Sequence, residues 1–581
     1  MASSSRDQTE NIRFQVDEKP PLALSTGLGI QLAVLCIAGV VLTPAIVVQA
    51  AGGSQSYISW AVFGAVLVSG ITTVIQAVRV GRIGAGYVLA MGTSGAFIAV
   101  CVSAIAEGGP AMLATLVVIS SLFQFLLAWR LSLFRRILTP SVAGTVIMLI
   151  PVTVMPLVFD TLTHVPSGSA SLSAPVSATV TAVVICIITL KAKGILRLWA
   201  PVIGIVAGSI VASYYGIYDF QSIKDADWIG LPQGQWPGLD LSFGPVFWGL
   251  LPAFVFVTLV GAIETVGDGV AIQRVSWRTP RAIDFRAVQG AVSADGLGNL
   301  LSGLIGTVPN TTYSTSVAVT ALTGVGARGV GVALGVTFVV VAFVPKMLAV
   351  VLAIPGPVAA SYITVLLALL FVVGMRVVIQ DGPDHRKALI VGIAFWMGVG
   401  FQNGLIFPEQ IEGFAGGILE NGMTAGGLTA ILLTLYMELT ASRRYRLNTP
   451  VAQSSLPMIK EFMSKFTKKC GWDSMIEDQL GAVAEEALYT LIKQAEETQH
   501  DLTRRHLLLS IQKEGNRAVM EVVAAPNENN LEDRMALLGE HAEEVSVEKE
   551  VSLRILRHYA SSVHHQQYHD TDIITITVDV A

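Results

Sequence analysis

At 581 residues, 52% of them hydrophobic and 14% charged, with a mean hydropathy of +0.63, the chain reads as a polytopic membrane protein rather than a soluble one. Its formal net charge of -5 speaks against nucleic acid as a partner. Four cysteines, Cys36, Cys101, Cys186 and Cys470, are scattered without CxxC spacing, which argues against both a disulfide framework and a zinc site. Nothing in the sequence calls for a metal or a cofactor.

Residues 1–24 form a polar N-terminal tail that lacks the pattern of a cleavable signal peptide, so the first apolar segment is expected to be retained. Apolar segments follow at Thr26–Val48, Ile58–Ala77, Gly86–Ala104, Met112–Trp129, Ser141–Leu157, Ala174–Leu190 and Trp199–Tyr214. A second series runs Val246–Thr265, Val288–Ile305, Thr311–Gly324, Gly329–Val344, Pro357–Met375, Ala388–Phe401 and Met423–Leu439. That is about fourteen segments in two sets of about seven, some shorter than the ~20 residues of a full span. The third of each set is interrupted: "AMGTSGAF" and "TVPNTTYSTS" place Gly, Pro, Ser and Thr inside apolar context. Matching breaks in corresponding positions are the sign of an inverted-repeat transporter whose broken elements meet at the membrane midplane. Two re-entrant loops without function are the plainer alternative.

Lys and Arg concentrate in alternate loops, after segments two (Arg79, Arg82), six (Lys191, Lys193, Arg197), eight (Arg274, Arg278) and twelve (Arg376, Arg386). The opposite loops hold only Lys224 and Lys346. The positive-inside rule then places both termini in the cytoplasm, which agrees with an even number of spans. "GVGARGVGVALG" follows a membrane segment with no βαβ unit around it and reads as close helix packing. After Arg446 the composition changes. A linker at 443–457 leads to a soluble cytoplasmic α/β domain at 458–581 that closes on the strand-like alternation "DIITITVDV".

The segment "FWGLLPAFVFVTLVGAIETVGD" ends on Glu264 and Asp268, four residues apart and so on one helical face. Either the segment stops near Ile263 and both acids sit in headgroup water beside Arg274, or they line a polar cavity, since ionisable groups at membrane depth face cavities, pair or titrate. Asp295, inside "AVSADGLGNLLSGLIG", favours the cavity.

These residues resemble the nucleobase–ascorbate transporters, the nucleobase:cation symporter 2 family of xanthine and uracil permeases. The family's E-[ST]-[IV]-G-D is matched by "ETVGD", its ADG by Ala294-Asp295-Gly296, its G-T-x-x-A-F by Gly92 to Phe97, and its IPxPV by Ile354 to Val358. The likeness covers roughly 25–442. It implies an all-α polytopic protein of fourteen transmembrane segments in two inverted seven-segment repeats, with short strands in segments three and ten. A core (about 25–129 and 246–347) would move against a gate (about 139–215 and 355–442) as an elevator. It further implies a base held between segments three and ten and hydrogen-bonded by Glu264, because an ionised carboxylate only accepts and suits an N–H edge. The site residues carried over are Glu264, Gly95, Ala96, Phe97, Gln31, Thr315 and Ser316, with Asp268 and Asp295 for proton coupling.

The departures are informative. The tenth-segment signature [QE]-N-x-G-x-x-x-x-T-[RKG] runs here from Thr315-Ser316 to Thr323-Gly324, the first-segment QH is Gln31-Leu32, and position 95, often aromatic, is Gly95. These changes leave more room and fewer donors. The implied function is proton symport of a nucleobase across the plasma (cell inner) membrane by a homodimer, a purine such as xanthine or uric acid favoured over uracil.

"DQLGAVAEEALYTLIKQ" at Asp478–Gln494 resembles the first conserved helix of histidine-kinase-type ATPase folds, as in anti-sigma-factor kinases, with Glu485 and Glu486 present. Thr490 stands where the magnesium-holding asparagine would be, and the later Asp-x-Gly motif is missing. A degenerate regulatory or assembly module is implied, beside an acidic amphipathic helix packed on a sheet. No P-loop, HExxH or nucleophile elbow occurs, which counts against an ATP-driven pump and an intramembrane enzyme. A nucleobase-binding membrane sensor signalling through the C-terminal domain is the alternative from another class. A related anion exchanger with a STAS tail is disfavoured by "ETVGD".

Overall fold

The computed structural model describes residues 12–580 except 135–138, 167, 233, 280, 380–383, 410–418, 420, 441–443, 498–505, 525–557 and 570. The chain divides into two compact units, one holding most of the residues before Met437 and the other built mainly from Met437 onward.

The first unit is helical but for two short strands. In order it comprises α1 (Leu22–Ala50), α2 (Gln55–Val78), β1 (Ala90–Thr93), α3 (Ile98–Trp129), α4 (Pro140–Thr161), α5 (Ser173–Lys191), α6 (Ala200–Tyr214) and α7 (Pro245–Arg274). Then come α8 (Phe285–Ile305), β2 (Asn310–Tyr313), α9 (Thr315–Thr323), α10 (Arg328–Ala342), α11 (Pro345–Leu352), α12 (Gly356–Ile379), α13 (His385–Gln402) and α14 (Gly422–Thr440). Most of the apolar segments read from the sequence fall on helices, and segments three and ten each fall on a short strand followed by a helix. Among the described residues eight helices are long and apolar enough to cross a membrane, and a ninth span counts if α10 and α11, bent by 89°, are taken together. Segments three and four share α3, which breaks at Gly109 (φ 78°) just before Pro110, because a left-handed residue followed by a ring without an N–H interrupts the helical ladder.

Two helix crossings rest on glycine. A Cβ on Gly70 of α2 would lie 2.7 Å from the Gly335 carbonyl oxygen of α10, and one on Gly335 would lie 2.5 Å from that of Gly70. The same reciprocity holds between Gly144 of α4 and Gly374 of α12, at 2.6 and 2.8 Å. Small residues let backbones touch where lipid offers no hydrophobic drive, which is the use of the glycine-rich run ending at Gly335. Gly335→Leu therefore forces backbones apart. The expected result is about 3 kcal/mol or more of destabilisation, read as a lower melting temperature and a smaller folded peak on gel filtration in detergent.

The second unit is a five-stranded antiparallel sheet in the order β3-β4-β5-β7-β6, from β3 (Tyr445–Pro450), β4 (His506–Glu514), β5 (Arg517–Ala524), β6 (Ser562–Gln567) and β7 (Asp572–Asp579). Two helices, α15 (Leu456–Cys470) and α16 (Ser474–Glu497), share its apolar core. Ile459, Met463 and Phe466 on α15 and Ile476, Leu480, Val483 and Ala487 on α16 are buried at helical spacing. "DIITITVDV" is the strand β7, as its alternation predicts. The stretch 443–457, expected as a linker, instead contributes β3, whose residues Tyr445 to Pro450 pair with Ile511 to His506. Its polar, proline-ended run hides an edge strand. Glu485 is bridged by Lys460 at 2.9 Å. The side chain of Thr490 lies outside the described residues.

Candidate substrate site

The site begins with helix α7, which does not stop at Ile263. It runs on to Arg274, so Glu264 and Asp268 are helical neighbours one turn apart. Phe254, Thr258, Gly261, Thr265, Asp268 and Ile272 form its buried stripe at spacings of three and four. Asp268 therefore points into protein, 6% exposed, while Glu264 lies half-buried at the edge of the stripe.

On α8 the same spacing lines up Gln289, Val292, Asp295, Asn299 and Ser302, all buried. Gln124 of α3 joins them: its amide nitrogen donates to Asp295 Oδ2 at 2.7 Å, and its oxygen accepts from Asn299 Nδ2 at 2.7 Å. Thr265 of α7 donates to the same Asp295 Oδ2 at 2.7 Å. Asn299 Oδ1 accepts the backbone N–H of Asn310 at 2.6 Å, and Asn310 Nδ2 donates to Ser69 Oγ of α2 at 3.3 Å. This chain of polar groups fixes five elements to one another. Two atoms in it, Asp295 Oδ1 and Asn310 Oδ1, are buried without a partner among the described residues.

Strands β1 and β2 pair antiparallel, Ala90 with Tyr313 through Thr93 with Asn310. Non-helical backbone at this depth is tolerated only where protein or a cavity surrounds it. Here Thr73 Oγ1 accepts the Met91 N–H at 2.9 Å. From β2 and the turn after it, Thr312 Oγ1 donates to Asp268 Oδ2 at 2.8 Å and Ser314 Oγ to Asp268 Oδ1 at 2.6 Å. Both oxygens of Asp268 are thus engaged by hydroxyls. Glu264 differs: its carboxylate accepts no hydrogen bond from the described residues, while Asp268 and Asp295 lie within Coulombic reach.

The third segment packs on α7 just before Glu264. Phe97, 1% exposed, packs on Phe254 with ring centroids 6.3 Å apart, and a Cβ on Gly261, one turn before Glu264, would lie 3.7 Å from its ring. Ala96 is buried. A Cβ on Gly95 would meet nothing within 4 Å, so space is open at that position. Tyr313, a residue that sequence reasoning did not single out, donates its hydroxyl to the Thr93 carbonyl at 2.9 Å. Its ring fills the space a Cβ would take on Gly92, at 2.5 Å.

The remaining sequence-derived candidates fall in different places. Thr315 is half-buried at the start of α9 and within hydrogen-bond reach of Cys36 on α1. Ser316 is fully buried; its hydroxyl donates to the Tyr313 carbonyl at 2.9 Å and accepts the Ala90 N–H at 3.2 Å, joining the two broken segments. Gln31 is half-buried on α1 with no hydrogen bond to the described site residues. Thr265, Gln124, Asn299, Thr312, Ser314 and Tyr313 were not named beforehand. Their only signal is polarity inside apolar runs, as in "NTTYSTS".

Comparison by sequence places this chain among permeases. The sequence model of a permease family, that of xanthine and uracil permeases, matches residues 25–406. A putative purine permease of Clostridium perfringens is 28% identical over 443 residues, 74% of this chain and 93% of that protein. The xanthine permease XanP of Escherichia coli is 28% identical over 455 residues, 74% of this chain and 96% of its own. The uric acid permease PucK of Bacillus subtilis is 24% identical over 417 residues, covering 71% and 95%. Among solved structures, the transmembrane domain of a cyanobacterium bicarbonate transporter, BicA, aligns with a TM-score of 0.42 at 18% identity, over 73% of this chain and all (100%) of that one.

Proposed function

The chain belongs to the xanthine/uracil permease family, a multi-pass membrane transporter and not an enzyme, and from that premise we propose that it carries a purine base, xanthine or uric acid in preference to uracil, by proton symport. The observation that carries this reading is the contrast between the acids. Asp268 and Asp295 are bound by neighbours, whereas Glu264 accepts no bond from the described residues and lies one turn after Gly261, against which the Phe97 ring packs. An ionised carboxylate is acceptor only and matches adjacent N–H groups of an oxopurine, while the aromatic ring offers a face to stack on. Room at Gly95, and Thr315 where the family carries a longer polar side chain, favour the two-ring base over uracil.

On this reading the chain keeps the family plan of fourteen segments in two inverted repeats. The block of α1 to α3 and α7 to α10 moves as an elevator core against the remaining helices, in a plasma-membrane homodimer with cytoplasmic termini. Glu264, Gly95, Ala96, Phe97, Gln31 and Thr315 meet the base, Ser316 supports the strand pair, and Asp268 and Asp295 serve the coupling proton. The C-terminal unit is a regulatory or assembly module without a nucleotide site.

The specificity claim is tested by changing Thr315, half-buried at the start of α9, to Gln. The added amide gives the site a donor and an acceptor that discriminate by about 1–3 kcal/mol, roughly ten- to hundredfold, when a partner goes unpaired. Competition by a panel of bases against labelled xanthine should reorder. An unchanged ranking in a well-folded variant would remove Thr315 from the site.

A further inference from the structure

The N-terminal stretch Ile12–Glu18, ahead of α1, is bound closely to the block that carries the acids. Gly324 O accepts the N–H groups of Arg13 and Phe14 at 2.7 and 3.0 Å, and Phe14 O and Val16 O accept those of Gly326 and Arg328 at 2.8 and 3.2 Å. Arg278, just past the end of α7, grips Glu18 with two parallel bonds of 2.7 Å and also donates to the carbonyls of Ile12 and Arg13 at 2.9 and 2.7 Å. Such a fork is the strongest geometry an Arg–carboxylate pair adopts. Arg328 holds Asp17 at 3.0 Å and the Gly86 carbonyl at 2.8 Å.

Of the stretch's apolar side chains, Ile12, Phe14 and Val16, Val16 is the most deeply buried. Val16, 2% exposed, completes an apolar cluster with Ala85, Tyr87, Leu89, Ile272, Ala287 and Ala291. Ile272 lies one helical turn beyond Asp268 on α7, Ala291 one turn before Asp295 on α8, and Leu89 immediately before β1. The cluster is therefore a dry layer directly under the acidic site, on the side from which the N-terminus arrives. We propose that Ile12–Glu18 is a solvent seal: Val16 closes the apolar layer beneath the carboxylates, and the Glu18–Arg278 fork keeps it closed. Among the described residues none of the stretch's hydrogen bonds or ion pairs reaches α4, α5, α6, α12, α13 or α14. It therefore travels with the site-bearing block and seals it throughout a transport cycle, instead of locking moving parts together.

The inference rests on the proposed role of Asp268 and Asp295 in holding the coupling proton, and its test separates the two. Hydrogen exchange of full-length wild type, Val16→Asp and Glu18→Gln is followed at residues 85–91, and proton flux without substrate is followed in liposomes. Val16→Asp should speed exchange there about tenfold or more, since an opened layer loses its protection. Glu18→Gln, which leaves the core intact and folds if the first variant does not, should speed it about threefold, the scale of an exposed ion pair. Both should leak protons in the same order. Unchanged exchange in folded Glu18→Gln, or faster exchange with wild-type proton flux, overturns the seal. Loss of coupling in an Asp268 variant whose exchange stays slow bears on the proton site and leaves the seal untouched.

Discussion

Glu264→Gln is expected to abolish base binding while leaving the fold intact. The carboxylate accepts no bond from its described neighbours, so the fold does not depend on its charge. A bound oxopurine would depend on both oxygens. Gln presents one acceptor and one donor, so one N–H of the base loses its partner and meets another donor. Two bonds to a charged group at about 2 kcal/mol each amount to roughly a thousandfold in affinity. Thermal-shift titration with xanthine should give a saturable rise in melting temperature for wild type and none for Glu264→Gln, at matched initial stability. A variant that binds xanthine as tightly as wild type would place the base elsewhere.

Asp268→Asn is expected to bind base and yet fail to concentrate it. Thr312 and Ser314 donate to its two oxygens, and an amide keeps one of these bonds as drawn and reverses the other, because a hydroxyl donates or accepts. The link between α7 and β2 survives; the exchangeable charge does not. With one proton per base, a pH gradient of one unit supports roughly tenfold accumulation, since a pH unit is worth about 1.4 kcal/mol. The variant should equilibrate its substrate and go no further, with an uptake plateau insensitive to external pH in vesicles at clamped potential. A normal accumulation ratio would move the proton to Asp295, whose Oδ1 is buried without a partner among the described residues.

Much of this architecture is readable from residue order, because spans declare themselves by length and apolarity. The break in each series shows through Gly, Pro, Ser and Thr where lipid would demand uninterrupted helix. The acid pair on α7 is visible from its i,i+4 spacing, although only the packing of the continued helix shows Asp268 buried and Glu264 half-buried beside it. What sequence alone hides is tertiary. Gln124 and Asn299 are single polar residues in apolar helices and become meaningful when Asp295 is seen between them. Thr312, Tyr313 and Ser314 are three members of one hydroxyl-rich run, and which of them turns to Asp268 depends on a strand register set by a partner some 220 positions away. Ser316 shows the converse: its alignment suggests a ligand contact, and its burial gives it to the backbone of β1. Val16 lies in a tail too short and polar to suggest a role before its cluster is seen.

The most direct measurement is counterflow-free uptake of labelled xanthine into proteoliposomes of the purified full-length chain, with and without an inward proton gradient, competed by uric acid and by uracil. The account predicts accumulation above equilibrium only with the gradient, inhibited by uric acid at lower concentrations than by uracil. Saturable xanthine binding with no gradient-driven accumulation would contradict it, and would make the chain a base-binding sensor.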